Sequence, residues 1–239
     1  MGFVTRTDLR RGSWKAQYTF RPRIPGLRQV AAYVGGKVQA RTNGESQDGN
    51  GFAGASVLLD SGDFLTATHV RGFTVLDYGF RLSDRIPIAP GRSDLTDTEV
   101  SLGSSSSRAL SGSASASLLG IWDGHLRSGT LAGSLRAGSH LSLGLSYTRS
   151  EASFPAGAFV ANVAALRLGW AFTTRLSAQS YLQYNDLDRR FVGNFRLRFI
   201  YRPGSDLFFV YDEERGEPGD PRALLSRAAV LKLSYVARF

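Results

Sequence analysis

The segment FVGNFRLRFIYR at residues 191–202 carries the clearest fold signal in the chain. Its odd-numbered positions, from Phe191 to Tyr201, are apolar, aromatic or glycine, whereas the even-numbered positions include Arg196, Arg198 and Arg202. Successive side chains of a β-strand point to opposite faces, so this segment predicts a strand with one apolar and one arginine-rich face. In a soluble sandwich the apolar face packs in the core, whereas in a membrane barrel it contacts lipid.

The same period of two recurs along the whole chain. We find about thirteen such segments of roughly 9 to 14 residues, a length that crosses a membrane and exceeds the average soluble strand. We expect longer polar loops at 42–51, 72–93, 150–158 and 213–223 and short turns between the other strands, which is the asymmetry of outer-membrane barrels. The sequence therefore predicts an all-β fold: a transmembrane antiparallel up-and-down β-barrel of about 12–14 strands.

Composition and charge narrow the class of protein. The 239 residues have a net charge of +9 and no cysteine. No apolar stretch approaches the roughly 18 to 20 residues of a membrane helix. Basic residues are scattered singly along strands, which argues against a nucleic-acid partner. Residues 1–8 lack the apolar core of a signal peptide, so we expect the export signal upstream.

The end of the chain continues the alternation. Leu231, Leu233, Tyr235 and Phe239 share one face of a predicted terminal strand that closes in phenylalanine. This arrangement resembles the signal read by the barrel-assembly machinery of the bacterial outer membrane. We therefore expect residues 1–239 to form one outer-membrane barrel domain with no separate soluble domain. It can also be the C-terminal part of a larger barrel, in contact with lipid and lipopolysaccharide.

The last hundred or so residues resemble a known family. The matching stretches include Tyr181-Leu-Gln-Tyr-Asn185, Tyr201-Arg-Pro-Gly-Ser-Asp-Leu-Phe208 and Val230-Leu-Lys-Leu-Ser-Tyr-Val-Ala-Arg-Phe239. They are similar to the C-terminal barrel, of unknown function, in large outer-membrane proteins that carry an N-terminal family-9-like carbohydrate-binding module. The resemblance implies the fold and the outer-membrane location, together with an association with carbohydrate binding.

Basic residues share the phase opposite to the apolar positions. We predict that these side chains line the barrel interior: Lys15, Lys37, Arg41, Arg136, Arg167, Arg196, Arg198, Arg202 and Lys232. Acidic residues predicted there are fewer, namely Asp60, Glu99 and Asp212. The pattern favours a pore or cavity biased toward anionic or sugar-like solutes. An alternative is that these arginines pair with acidic loops, an upstream plug or lipopolysaccharide.

Two other functions stay open at this stage. His125, beside Asp123 and three residues before Ser128, is a candidate for a rim site in an outer-membrane hydrolase. A soluble basic β-sandwich that binds polyanions is the second alternative. We interpret the acidic segments 60–63 and 212–214 as a turn and a solvated loop, and predict no metal and no cofactor. The leading hypothesis is a barrel that acts as a pore or as a membrane anchor.

Overall fold

The computed structural model describes residues 8–83, 86–217 and 220–236, and strands make up most of them. No helix in this part of the chain is long and apolar enough to span a membrane. In chain order the strands are β1 (Leu9–Phe20), β2 (Leu27–Arg41), β3 (Ser46–Leu59), β4 (Phe64–Leu76), β5 (Phe80–Ser83), β6 (Ile86–Ile88), β7 (Gly91–Gly103), β8 (Leu110–Ile121), β9 (Gly124–Ala137), β10 (Leu141–Phe154), β11 (Gly157–Ala171), β12 (Leu176–Asn185), β13 (Arg190–Arg202), β14 (Ser205–Glu217) and β15 (Asp220–Leu233).

Thirteen of these strands form one antiparallel up-and-down sheet, in the order β1-β2-β3-β4-β7-β8-β9-β10-β11-β12-β13-β14-β15. The predicted all-β class, topology and approximate strand number are thereby confirmed. Within the described residues no ladder joins β1 to β15. Because the number of strands is odd, β1 and β15 run in the same direction. Strands β5 and β6 form a separate hairpin between β4 and β7.

Contacts divide the chain into two compact units. Unit 1 comprises Met1–Gly103, Ser115–Gly129 and Ser150–Phe159. Unit 2 comprises Ser104–Ala114, Thr130–Arg149 and Val160–Phe239. The hairpin β5–β6 belongs to unit 1, and β12 to β15 belong to unit 2.

The prediction of long polar loops is largely wrong, because most of the residues assigned to them continue the strands. The connection after β2 is only 42–45, that after β10 is only 155–156, and β14 extends to Glu217. Hydrogen bonding to the neighbouring antiparallel strand satisfies the backbone there whatever the polarity of the side chains. The connection 77–90 is long, and its described residues include the β5–β6 hairpin.

The sheet distributes apolar side chains in an unusual way. Along β9 the apolar phase is the exposed one, with Leu131 at 63% exposure, while Thr130 and Ala132 on the other phase are half-buried. Some aromatic residues are exposed in the same way, and Tyr18 in β1 is 73% exposed. We call these outward apolar positions the exposed apolar face of each unit, and the opposite positions its polar face.

Among the residues that the structure describes, a cluster of buried apolar side chains lies beneath the hairpin. Ile86 and Ile88 of β6, together with Ala152 and Phe154 of β10, are buried and pack with half-buried neighbours such as Trp122. We call Ile86, Ile88, Ala152 and Phe154 the hairpin cluster. Gly124 is required beside it, since a Cβ at this position lies 2.2 Å from Cδ1 of Phe154. All of these residues belong to unit 1.

Candidate functional site

Hydroxyl pairs between strands help to hold the polar face. In unit 1 the Tyr33 hydroxyl of β2 reaches across Gly54 of β3 and lies 2.6 Å from Thr68 Oγ1 of β4. In unit 2 the Thr130 and Thr148 hydroxyls are 2.9 Å apart. Cross-strand pairs of this kind stabilise a sheet and satisfy polar groups on a face shared with other polar groups. Such a face suits contact with water or with a polar ligand rather than with a dry core.

The basic residues predicted for this face lie on it at most positions. In unit 1, Lys15 Nζ lies 4.7 Å from the centre of the Tyr33 ring. Lys37 lies opposite Asn50 of β3 and points to the same side of β2 as Gly35, two residues earlier. In unit 2 the polar-face phase carries Arg136, Arg167, Arg196, Arg198 and Lys232.

Arg202 departs from this arrangement. A register shift between Ile200 and Arg202 interrupts the alternation of β13 where it meets β14. Nη1 of Arg202 lies 3.5 Å from the hydroxyl of Tyr235, which follows the end of β15. A bulge re-aims side chains in this way, and it is not visible in the alternating sequence.

Two of the predicted arginines form ion pairs. Arg41 Nη2 lies 2.5 Å from Asp77 and its Nη1 lies 3.4 Å from Glu45, both in connections. Arg198 Nη2 lies 3.0 Å from Asp206 across the β13–β14 turn. Arg41 therefore matches the alternative in which arginines pair with acidic loops, whereas the partner of Arg198 lies in strand β14.

Three arginines of unit 2 differ from these. Arg136 donates to the carbonyl of Arg108 at 3.4 Å, and the Arg167 guanidinium lies 5.2 Å from the Tyr181 ring centre. Arg196 pairs along the backbone with Gln179. Within the part of the chain that the structure describes, none of the three has a carboxylate oxygen within 4.0 Å. Among the described residues, no ion pair therefore neutralises these three charges.

The sequence analysis missed several acidic residues on the polar face. Asp48 accepts a hydrogen bond from Thr74 at 2.6 Å, and Asp97 lies opposite Val70. Glu214 pairs with Arg190 at 2.9 Å. Asp48 and Glu214 lie in strand extensions that the sequence analysis assigned to loops. Once the strand ends are placed correctly, the alternation assigns both residues to the polar face. Asp60, predicted for this face, instead lies in a turn where Oδ2 accepts a hydrogen bond from the Gly26 N–H.

The hairpin cluster lies against the polar face of unit 1. Phe154 shares its strand phase with Ser150, whose hydroxyl is 3.1 Å from Ser128. Leu126 shares the phase of Ser128 and also packs on the cluster. The hairpin therefore covers the polar-face ends of β9 and β10.

The residues of the predicted assembly signal extend from the exposed apolar face. Leu231 and Leu233 are 70% and 66% exposed. Tyr235 is also exposed, but β15 ends at Leu233, so the predicted strand over 231–239 is too long. Beyond Leu233 the backbones of Ser234 and Asp206 still exchange two hydrogen bonds, and the Val236 N–H donates to the side chain of Ser205, where β14 begins. Phe239 lies outside the described residues.

The residues of the predicted rim site do not come together in the structure. Trp122 and Asp123 form a two-residue hairpin turn with φ values of 54° and 59°. His125 lies on the exposed phase of β9, whereas Ser128 lies on the opposite phase and contacts Ser150. A base and a nucleophile need to be within hydrogen-bond reach, and opposite faces of one strand do not allow this.

The acidic segment 212–214 is a strand, not the solvated loop that we expected. Asp212 accepts a hydrogen bond from Asn194, while Glu213 on the other face pairs with Arg215 and Arg227. Alternation therefore separates these carboxylates. In the described ranges no group of three or more acidic, histidine or cysteine side chains is placed to hold a metal ion.

In comparisons with known proteins, no family model matches the chain and no curated protein matches it significantly. The resemblance to barrels associated with carbohydrate-binding modules stays a prediction that rests on the quoted residues.

Proposed function

We propose that this chain is an outer-membrane β-barrel whose exposed apolar face contacts lipid and whose polar face lines a water-filled passage for anionic or sugar-like solutes. The observation that carries the proposal is the exposed apolar face. Leu131 at the middle of β9 and Leu231 in β15 are both more than 60% exposed. Apolar surface of this extent is unfavourable in water and favourable in hydrocarbon.

The strand dimensions support the same proposal. The sheet strands span 10 residues in β12 to 15 residues in β2 and β11. A tilted strand needs about 9 to 11 residues to cross the hydrocarbon layer, so each is long enough. Exposed aromatic residues near strand ends, such as the stacked pair Trp170 and Phe172, fit an interfacial girdle.

Closure of the barrel is part of the proposal. Because β1 and β15 run in the same direction, an antiparallel seam between them requires one further strand of opposite direction. Fourteen strands also give the even number that bacterial single-chain barrels use. Residues 9–11 already belong to β1, and residues 1–7 lie outside the described ranges.

The polar face supports a passage for anions. Fixed positive charge in a narrow, partly desolvated channel raises the local anion concentration. Arg136, Arg167 and Arg196 supply this charge without a described carboxylate partner. The hydroxyl and amide groups between them offer hydrogen bonds to a hydrated or hydroxylated solute.

The test begins with the full chain refolded in detergent and inserted in planar bilayers. In a KCl gradient we expect a reversal potential of anion-selective sign that fades as ionic strength rises and screens the charges. Replacing Arg136, Arg167 and Arg196 by Gln moves the reversal potential toward zero. The matched control replaces Arg23, Arg175 and Arg189, which lie in connections, and changes it less. Cation selectivity of the native chain contradicts the proposal. If the bilayers stay silent, the passage is ruled out and the membrane-anchor role is left.

A further inference from the structure

A recess of about 600 Å³ opens on the polar face of unit 2, between β9 and β13. Its floor is made of small residues, Ser142, Gly144 and Gly169, on β10 and β11. A Cβ on Gly169 lies 2.5 Å from the Ser142 hydroxyl, so this part of the floor is already closely packed. Larger side chains rise on either side. The volume falls within the range of sites for small organic ligands.

The walls of the recess carry positive charge and neutral hydrogen-bonding groups. Arg136 stands on one side, and Arg167 with Tyr181 stands on the other. Gln179 completes the second wall and pairs with Arg196 on the next strand. The residues that line the recess include no Asp or Glu among those that the structure describes.

These groups define the chemistry of a ligand. A guanidinium presents a planar fork of donors that matches a carboxylate with two parallel hydrogen bonds. The side chains of Ser142, Gln179 and Asn194 can donate to or accept from hydroxyl groups. A small inorganic anion fills only part of the volume and leaves the neutral groups unused.

We propose that this recess binds a carboxylate-bearing sugar, a hexuronate, with Arg136 and Arg167 on the carboxylate and the hydroxyl and amide groups on the ring hydroxyls. The inference rests on the proposed function, since it makes the recess a binding station for a solute on the polar face. It adds a defined site and a ligand class to a passage otherwise described only by its charge.

Titration calorimetry on the full chain refolded in detergent tests the recess, with D-glucuronate as probe. We expect glucuronate to bind, and glucose to bind at least roughly ten-fold more weakly. The binding free energy of hydrogen bonds to charged groups accounts for a loss of affinity of about that size. Arg167→Gln should weaken glucuronate binding by a similar factor, whereas Arg189→Gln in the β12–β13 turn should leave it unchanged. Arg167→Lys keeps the charge without the fork and should fall between the two.

A second variant separates the recess from charge alone. Gly144→Val adds bulk to the floor, and a Cβ there makes only ordinary contact, 3.7 Å from Cβ of Arg167. It should weaken glucuronate binding at least roughly ten-fold at unchanged net charge and unchanged heat-modifiable migration. Equal affinity for inorganic phosphate and glucuronate overturns the sugar-acid assignment. If Arg167→Gln and Gly144→Val both bind glucuronate with native-like affinity, the proposed site is wrong.

Bilayer recordings separate this inference from the proposed function. Anion-selective currents in a chain that binds no glucuronate refute the recess and leave the passage standing. Glucuronate binding by a chain whose bilayers are silent refutes the passage and leaves the recess standing.

Discussion

The β5–β6 hairpin buries its apolar side chains, whereas the thirteen-stranded sheet leaves many of its own exposed. Ile86 and Ile88 of the hairpin are 1% and 6% exposed, as in the core of a soluble domain. Leu131 and Leu231 of the sheet point away from their neighbours and are largely exposed. The residue types are the same, so the difference lies in what surrounds them. The hairpin buries its apolar side chains against partners within the chain, whereas the sheet leaves Leu131 and Leu231 uncovered.

The largest expected effect comes from the buried side of this comparison. Ile86→Ala removes methyl groups from the hairpin cluster and should cost about 2–5 kcal/mol, measured by hydrogen exchange of β5 and β6 amides. Leu131→Ala in lipid vesicles is the counterpart on the exposed apolar face. It should cost less than about 1 kcal/mol, because lipid chains fill the space. Equal costs for the two substitutions contradict the comparison.

A charge on the exposed apolar face gives the next effect. Leu131→Arg should destabilise the chain by about 2–4 kcal/mol in lipid vesicles, since position 131 is central in β9 and a charge at the bilayer midplane is costly. Thr130→Arg, one residue away on the polar face, is the control and should cost less than about 1 kcal/mol. Urea unfolding from vesicles measures both. A harmless Leu131→Arg, within about 0.5 kcal/mol, points to an aqueous surface.

The polar face itself is tested by a smaller change. Thr130→Val leaves the Thr148 hydroxyl without its 2.9 Å partner. If water reaches this face it replaces the partner, and the cost stays below about 1 kcal/mol. In a dry core the unsatisfied hydroxyl costs about 1–3 kcal/mol. Unfolding of Thr130→Val and Thr148→Val, singly and together, distinguishes the two environments.

The smallest effect concerns a connection of unit 2. The Asn162 side-chain amide donates to Asp186 at 2.5 Å and its backbone N–H at 2.6 Å, and both lower the pKa of Asp186 below 3.8. A depressed folded pKa means that the ionised carboxylate stabilises the fold above pH 3.8 and that this contribution is lost as the pH falls further. Asp186→Asn should therefore be slightly less stable than the native chain at pH 7, and the difference should shrink as the pH falls below 3.8. A stability difference that does not shrink below pH 3.8 contradicts this assignment.

Much of the fold could be predicted because alternation fixes strand phase. The phases of Arg196, Arg198 and Leu231 follow directly from the sequence, and the structure keeps them. Strand ends could not be predicted in the same way. Polar residues such as Asp48 and Glu214 look like loop residues, yet the neighbouring strand keeps them in the ladder. The hairpin was also missed, because the short segments at 80–83 and 86–88 gain their burial from Phe154 in a distant strand.

The candidate site could be predicted only as a set of charges. Alternation places Arg136 and Arg167 on one face, but the recess depends on the register that sets Gly144 and Gly169 between them. The pairing of Arg198 with Asp206 depends on a bulge and a tight turn at 203–204. Alternation also leaves open which face is exposed, since it is symmetric between a soluble core and a lipid-facing surface.

The most direct test of the central claim is a paired labelling experiment on β13 and β15. The chain has no cysteine, so single cysteines at 196, 197, 232 and 233 can each carry one spin label. In vesicles we expect labels at Leu197 and Leu233 to be relaxed by lipid-soluble oxygen, and labels at Arg196 and Lys232 by a water-soluble nickel chelate. The reverse pattern, or access of the chelate to all four positions, contradicts a lipid-facing apolar surface.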